Sequence, residues 1–247
     1  MLRARLDTVR ALARTSLLAA AAILATAASA PVVGEEGVSP DADGILRSMS
    51  SYLAGLSSFS MKADIDNEIM LQSGQKLQLS GTADVVMDRA GKMYMTRQGM
   101  FANVELFFDG KTLTLHGKNR NMYLQMDAAG SNDDAIRLLE METGLDMPGA
   151  DLLFADPYSI LMSGVTSGDY IGTTLIGGVE CHHLAFRKDK VDWQIWVRTG
   201  VQPLPVKYVI TSKWMTGAPQ YTLHLYDWNA RPQVPDSRFA FTLTNNA

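Results

Sequence analysis

From Phe59 onward, apolar and polar residues alternate with a period of two, and this alternation limits what the chain can fold into more than any other feature. Residues 76–79 are Lys-Leu-Gln-Leu and residues 112–115 are Thr-Leu-Thr-Leu, so each run has one apolar face. Turn-forming pairs separate such runs, as at Ser73-Gly74. A sheet of these strands buries one face and wets the other, which predicts antiparallel hairpins and disfavours a doubly wound nucleotide-binding fold.

Two segments depart from this alternation and have the spacing of helices. Over residues 41–56, apolar residues recur every three or four positions, which predicts an amphipathic helix. Over residues 131–163, the polar run from Ser131 to Asp134 supplies capping groups before a helical pattern, and Pro157 stands where a further helix can begin. We therefore expect a helical insertion at about 131–163 between two groups of strands.

These patterns predict roughly eleven strands and three helices in one domain. The sequence has no internal linker rich in Pro, Gly or Ser and no repeat of fixed period. Because strands lie on both sides of the helical insertion, the helices must cover one face of a shared sheet. The expected fold class is α+β, mainly β: a single strongly curved antiparallel sheet, or half-open barrel, with helices covering its concave side.

The first 30 residues have the three parts of a secretory signal peptide. Four arginines precede an apolar, alanine-rich run from Leu17 to Ala30, and its 14 residues fall short of the about 20 that a transmembrane helix needs. Small residues close the run and predict cleavage near 27–30. We expect export of the chain, with a cleaved signal peptide over 1–30, a flexible connection over 31–40 and a single domain over 41–247.

Charge and cysteine content exclude several partners and attachments. Of 22 basic and 26 acidic residues, four basic and one acidic lie within the signal peptide, which leaves 18 and 25 and a net charge of −7. Such a chain is a poor binder of phosphate backbones, so we expect no nucleic-acid partner. The sole cysteine, Cys181, lies far from the cleavage site, so the chain has neither an intramolecular disulfide nor a lipid-anchoring cysteine. We expect no stable membrane anchor.

The sequence lacks common enzyme signatures: it has no Gly-rich phosphate loop, no Gly-x-Ser-x-Gly elbow and no His-Glu-x-x-His helix. The run Cys181-His182-His183 is the sharpest local feature, because thiolate and imidazole bind soft or borderline metals. Neighbouring residues of a strand point to opposite faces, so Cys181 and His183 can share a site from which His182 is excluded. We therefore expect no catalytic residues, no metal and no cofactor, and a buried Cys181 beside hydrogen-bonded histidines.

Methionine and tryptophan add to this interpretation. The chain has 14 methionines, and Met93-Tyr94-Met95 has the Met-x-Met spacing of Cu(I) sites. Flexible thioethers also fill cores and line adaptable cavities, and core packing is the interpretation we favour. Trp193 and Trp196 fall on opposite faces of one predicted strand, one in the concave interior and the other under a loop or partly exposed.

The segment from Val191 to Gly200, followed by Pro203-Leu204-Pro205, resembles a hairpin of LolA-like outer-membrane lipoprotein carriers, in which a Trp-containing strand turns into a Leu-Pro-containing strand. Together with Asp156-Pro157-Tyr158, Tyr170-Ile171-Gly172 and the run 181–186, it is similar to a family of predicted periplasmic proteins, domain of unknown function 2092. The resemblance covers about residues 42–241. It implies a curved antiparallel sheet around helices, enclosing an apolar cavity that holds acyl chains in the carrier relatives.

We expect this cavity to be lined by residues of the apolar strand faces: Met93, Met95, Leu113, Leu115, Leu124, Trp193 and Ile195. The favoured function is that of a soluble, non-enzymatic periplasmic protein that binds an apolar ligand, a lipid acyl chain or a lipoprotein. The alternative is an envelope regulatory or interaction module that contacts a protein partner through the same sheet. An empty, open, apolar cavity favours the first function, and a packed interior with an exposed apolar patch around Trp196 or Trp214 favours the second.

Overall fold

The computed structural model describes residues 37–145 and 147–242. The chain divides into two units, Met1–Val33 and Gly34–Ala247, and every described residue belongs to the second. The predicted signal peptide and residues 31–36 of the predicted connection therefore lie outside the described residues. The rest of that connection already belongs to the fold, because Gly37 and Val38 form a strand and Pro40 begins a helix.

The described residues form three α-helices and twelve strands. In chain order these are β1 (Gly37–Val38), α1 (Pro40–Ala54), β2 (Ser58–Met70), β3 (Lys76–Asp88), β4 (Lys92–Gly99), β5 (Asn103–Phe108), β6 (Thr112–Gly117), β7 (Met122–Asp127), α2 (Asn132–Thr143), α3 (Pro157–Met162), β8 (Val165–Ile176), β9 (Val179–Lys188), β10 (Val191–Arg198), β11 (Pro205–Ser212) and β12 (Gln220–Asn229). Short 3₁₀ turns occur at Ala150–Leu152 and Asp236–Arg238.

All the described strands belong to one sheet, in the order β1-β8-β9-β10-β11-β12-β2-β3-β4-β5-β6-β7. Two antiparallel meanders, β2–β7 and β8–β12, join where β12 pairs with β2, and Leu225 lies opposite Ala63 there. The β1–β8 pair is parallel. Since the order ends at β1 on one side and β7 on the other, the sheet is open, and the predicted single antiparallel sheet is confirmed.

The sheet curves around its inner face, the face that carries the helices and the main hydrophobic core. Strands β4 and β12 are separated by β2 and β3, a path of about 14 Å along a flat sheet. Nevertheless, the guanidinium carbon of Arg97 on β4 lies 5.8 Å from the ring centre of Tyr221 on β12. Side chains from distant strands therefore meet across the concave side.

Each helix begins at a side-chain cap. Ser39 accepts a hydrogen bond from the Ala42 amide at the start of α1, and Ser131 and Asp134 form a capping box at the start of α2. The buried face of α1 packs against α3 and strands β8–β10, so α1 covers one half of the inner face. The predicted helices at both places are present.

Strand β10 has a different tryptophan on each face, as predicted. Trp193 lies in the main core, stacked on Phe186 with ring centres 4.1 Å apart. Trp196 lies on the outer face, buried in a small cluster with Cys181 and stacked on His183 at 4.1 Å. The cover of Trp196 thus comes from side chains of the sheet itself and not from a loop.

The alternation of apolar residues over 239–243 also predicts a last strand. This prediction is wrong for residues 239–242, and Leu243 lies outside the described residues. The 3₁₀ turn at Asp236–Arg238 redirects the chain. Phe241 then packs against the rings of Phe107 (5.5 Å) and Tyr123 (5.2 Å), which project from strands of the sheet. Phe241 therefore packs against aromatic rings of the sheet and does not lie in a strand.

Candidate functional site

The inner face of the sheet is not filled everywhere. A cavity of about 320 Å³ lies under strands β12 and β2–β6, and α1 contributes no residue to its lining. The floor, supplied by strands, consists of Met61, Ala63, Ile65, Ala83, Val85, Met95, Thr96, Arg97, Val104, Leu106, Leu115, Tyr221, Leu223 and Leu225. The segment that follows α2, here called the roof segment, supplies Leu145, Met147, Pro148, Gly149, Ala150 and Leu153. The lining is completed by Leu139 of α2 and by Phe101 and Ala102 of the β4–β5 turn.

Two small residues make room in the floor. Ala63 of β2 and Ala83 of β3 lie directly opposite one another, and both line the cavity. In the neighbouring inner-face pair, Met61 and Val85 are larger. A strand holds its side chains at fixed positions perpendicular to the sheet, so two methyl groups side by side leave a depression beside these longer side chains.

Contacts with strands β11 and β12 fasten the roof segment to the sheet. Gly149 has a φ of +93°, and a Cβ there would lie 2.4 Å from Leu223 Cδ1, so its backbone rests directly on the floor. Next to it, the Tyr208 hydroxyl of β11 donates a 2.7 Å hydrogen bond to Asp151 Oδ2. Burial of the Asp151 carboxyl raises its pKa, although the Tyr208 hydrogen bond favours the charged form. These contacts hold the roof at a fixed height above the floor.

The cavity opens to solvent between the β4–β5 turn and the roof. Phe101 and Leu145 both line it, and they are 75% and 49% exposed. Met100, beside Phe101, is also 75% exposed. Exposed apolar groups around the opening of an apolar cavity are typical of a ligand site and uncommon on an ordinary surface.

The lining offers little polar chemistry. Among the described lining residues, Arg97 is the sole charged group, and none is His, Cys, Asp or Glu. Tyr221 presents its ring to Arg97, and burial raises the pKa of the Tyr221 hydroxyl. The arrangement can therefore hold an apolar chain by burying it, with one cation close at hand.

Comparison with known proteins places the chain in a family. The model of a family described as "Predicted periplasmic protein (DUF2092)" matches residues 42–247. The chain belongs to this family. The family and the periplasmic localisation predicted from the sequence are thus confirmed. None of the described helices of this DUF2092 protein is long and apolar enough to cross a membrane.

Several solved structures are similar to this DUF2092 chain at low identity. LprF from Mycobacterium bovis is 16% identical, with a TM-score of 0.49, covering 80% of this chain and 97% of that one. Lipoprotein LppX from Mycobacterium tuberculosis is 16% identical (TM-score 0.45; 79% and 99% covered). A LolA superfamily protein from Nitrosomonas europaea is 9% identical (TM-score 0.41; 81% and 97% covered). No curated protein sequence matches the chain significantly.

The structure brings two of the seven predicted ligand-binding residues to the cavity, Met95 and Leu115. Four others lie elsewhere in the packed core: Met93, Leu113, Trp193 and Ile195 are buried. Leu124 lies on strand β7 at the sheet edge and is 45% exposed. All seven are on the inner face. Helices or neighbouring side chains cover the four buried residues, whereas Leu124 is left open to solvent. A ligand-binding role stays a prediction for all of them.

Sequence reasoning missed the β2 and β12 residues, the roof segment and Arg97. A usable pattern was present, because Arg97 continues the two-residue spacing of Met93 and Met95 and so had to face inward. The alanines at 63 and 83 gave no comparable indication, since their pairing depends on the strand register.

The histidines beside Cys181 have partners on the sheet. His182 Nδ1 lies 3.2 Å from the Tyr170 hydroxyl, and His183 Nε2 lies 2.9 Å from Gln194 Oε1. Burial raises the pKa of the Cys181 thiol and lowers that of His183. Within the described part of the chain, no three His, Cys, Asp or Glu side chains are placed to hold a metal ion. The absence of a metal and of a cofactor stays a prediction.

Proposed function

We propose that this protein is a non-enzymatic periplasmic protein that binds an apolar ligand, an acyl chain of a lipid or lipoprotein, between its curved sheet and its roof segment. The observation that carries this proposal is the cavity itself, which is apolar and open at one side. Its volume of about 320 Å³ falls at the lower end of the range of about 300–1,000 Å³ that is usual for ligand sites, which suits one chain.

Burial alone can supply the affinity. Each methylene removed from water contributes about 0.8 kcal/mol, so ten methylenes supply about 8 kcal/mol before the costs of association. Those costs stay low when the site already exists before the ligand arrives. The contacts of Gly149 with Leu223 and of Tyr208 with Asp151 hold the roof in place without a ligand.

A substitution that fills the floor tests the proposal. Ala83→Leu adds three carbon atoms to the half-buried position that makes room for the chain. We expect the affinity for a fluorescent fatty-acid probe, measured by titration, to fall by about 10-fold or more, because overpacking costs about 1–3 kcal/mol.

Ala185→Leu is the matched control. Ala185 is also half-buried on a strand, but it lies outside the cavity lining, on β9 opposite Gln194. This variant should bind the probe within about twofold of the wild type, since it leaves the cavity unchanged. Equal binding by the wild type and Ala83→Leu, with both proteins folded, would contradict the proposal.

A second candidate function is that of an envelope interaction module, and one exposed patch favours it. Trp214, in the β11–β12 turn, is 67% exposed, and Met215 and Leu71 are exposed as well. A Cβ at Gly217 would lie 2.8 Å from Met70 Sδ, so the β11–β12 turn lies beside the end of β2. Trp196, by contrast, is buried.

Site-specific crosslinking distinguishes this candidate. A photoreactive residue at position 214, introduced in periplasmic protein, should capture a defined protein partner if the patch is an interface. Met215→Ser should then weaken the capture while probe affinity stays unchanged. Absence of any captured protein, together with probe binding in the cavity, would remove the second candidate.

A further inference from the structure

Arg97 is a charged residue on a face that is otherwise apolar. It follows Met93 and Met95 at two-residue spacing on β4, and it lies opposite Ala83 on β3 and Val104 on β5. Both of these neighbours line the cavity. The strand therefore directs a guanidinium into a space that the sheet otherwise builds from hydrocarbon.

This guanidinium has no counter-charge among the described residues. It faces the ring of Tyr221, whose centre lies 5.8 Å from the guanidinium carbon. Two other arginines of the described residues form ion pairs: Arg47 lies 2.7 Å from an Asp43 oxygen, and Arg187 Nε lies 3.4 Å from Asp192. Arg89 forms no ion pair, but its guanidinium donates hydrogen bonds to the carbonyl oxygens of Leu53 and Leu153. A partly buried cation without an anion loses hydration and gains no pairing in return, so its position at a ligand cavity points to an anion that arrives with the ligand.

We infer that Arg97 anchors an anionic oxygen group of the bound chain, so the ligand is an acyl amphiphile with one carboxylate or phosphate and not a neutral lipid. The inference rests on the proposed function. Arg97 stands two residues before the end of β4, and Phe101 of the following turn marks the opening. The anionic group lies at the opening, and the chain extends over Ala83 and Ala63 toward Met61.

The chemistry of the guanidinium fits this role. Its planar fork of N–H donors matches the two oxygens of a carboxylate or phosphate, and such charge-assisted pairs are roughly twice as strong as neutral hydrogen bonds. Apolar walls lower the effective dielectric constant and strengthen the attraction further. The contact with Tyr221 does not prevent Arg97 from binding an anion, because a cation–π contact at a partly exposed site is weak and an arriving anion can replace it.

The test compares acids with their neutral counterparts. Hexadecanoate and hexadecanol are titrated against the wild type, and so are a 1-acylglycerol phosphate and the matching monoacylglycerol. We expect the wild type to prefer the anionic member of at least one pair, and the preferred pair identifies carboxylate or phosphate. Arg97→Gln should weaken binding of that anion by about 10- to 100-fold, as expected for a lost charged hydrogen bond, and should leave its neutral counterpart within about twofold.

Controls separate anchoring from folding. Arg198→Gln removes a positive charge from strand β10, outside the cavity lining, and should leave every affinity unchanged. Arg97→Lys keeps the charge without the fork and should fall between the wild type and Arg97→Gln. Equal binding of acid and neutral lipid by the wild type, or an equal loss of both in a folded Arg97→Gln, would overturn the inference and leave the proposed function intact. Failure of all four lipids to bind the wild type would overturn the proposed function itself.

Discussion

Asp151 shows how one buried group ties the roof to the sheet. Its Oδ2 accepts the hydrogen bond of Tyr208, whereas its Oδ1 is buried with no partner among the described residues. Burial raises the pKa of this carboxyl, and the Tyr208 hydroxyl and Lys188 only partly oppose that effect. The folded protein therefore holds a proton on Asp151 at pH values where the unfolded chain has released it.

This difference predicts a pH dependence of stability. Between the ordinary carboxyl pKa of about 3.9 and the raised value in the folded protein, the folded state binds more protons, so the contribution of Asp151 to stability falls as pH rises. Asp151→Asn does not titrate. We therefore expect the free energy of unfolding of the variant minus that of the wild type, measured in urea from pH 4 to 8, to increase as pH rises. A difference that stays constant over this range would show that the carboxyl is not perturbed.

At the residue scale, the sequence predicted the facing of side chains well and their access to the cavity poorly. Strand alternation correctly put Met95 and Leu115 on the inner face, and it also put Met93 and Leu113 there. Met93 and Leu113 differ from Met95 and Leu115 in being covered by other parts of the chain, and this covering depends on contacts between residues far apart in sequence. Strand alternation does not predict which inner-face residues are covered.

The roof segment is the element on which the height of the cavity depends. Gly149 has a backbone conformation that favours glycine, and it also touches Leu223. Gly144, which ends α2, shares the positive φ (+63°), but a Cβ there would meet nothing within 4 Å. A comparison of substitutions at the two glycines therefore distinguishes the effect of backbone strain, which both share, from that of steric contact, which only Gly149 has.

Gly149→Ala should be more harmful than Gly144→Ala. Both substitutions carry the cost of an alanine at positive φ, about 1–2 kcal/mol. Gly149→Ala adds a clash with the end of the Leu223 side chain, which must turn into the cavity or push the roof away. Either movement should cost about 1 kcal/mol more and weaken probe binding. Chemical unfolding and probe titration of both variants measure this difference. Equal stability and equal affinity of the two variants would mean that the roof does not rest on the floor.

Elements were predictable where a local interaction defines them. The capping groups at Ser39 and Ser131 and the glycine after α2 act within one turn of the chain, so helix positions could be read from the sequence. Strand β1 could not be predicted, because its two residues gain strand structure only by pairing with β8. Residues 239–243 alternate like a strand, but residues 239–242 form none, because Phe241 packs against aromatic rings and no neighbouring strand pairs with it.

At the scale of the whole molecule, the two meanders create an uneven interior. Helix α1 fills the half under β8–β10, whereas the half under β12 and β2–β6 is covered, as far as the described residues show, by α2 and the roof and keeps a cavity. The pairing of β12 with β2 brings residues about 160 positions apart into register, as with Leu225 and Ala63. Local patterns predict strands and a curved sheet, but they do not specify this pairing, and the site's location depends on it.

Mass spectrometry of the intact protein, isolated from the periplasm under non-denaturing conditions, tests the central claim most directly. We predict one bound acyl amphiphile per chain, identified after extraction as a lipid with a single anionic group. The Ala83→Leu variant should carry much less of it, and Ala185→Leu should carry as much as the wild type. Wild-type protein that is free of lipid, and that takes up none when incubated with hexadecanoate or 1-acylglycerol phosphate, would contradict the claim.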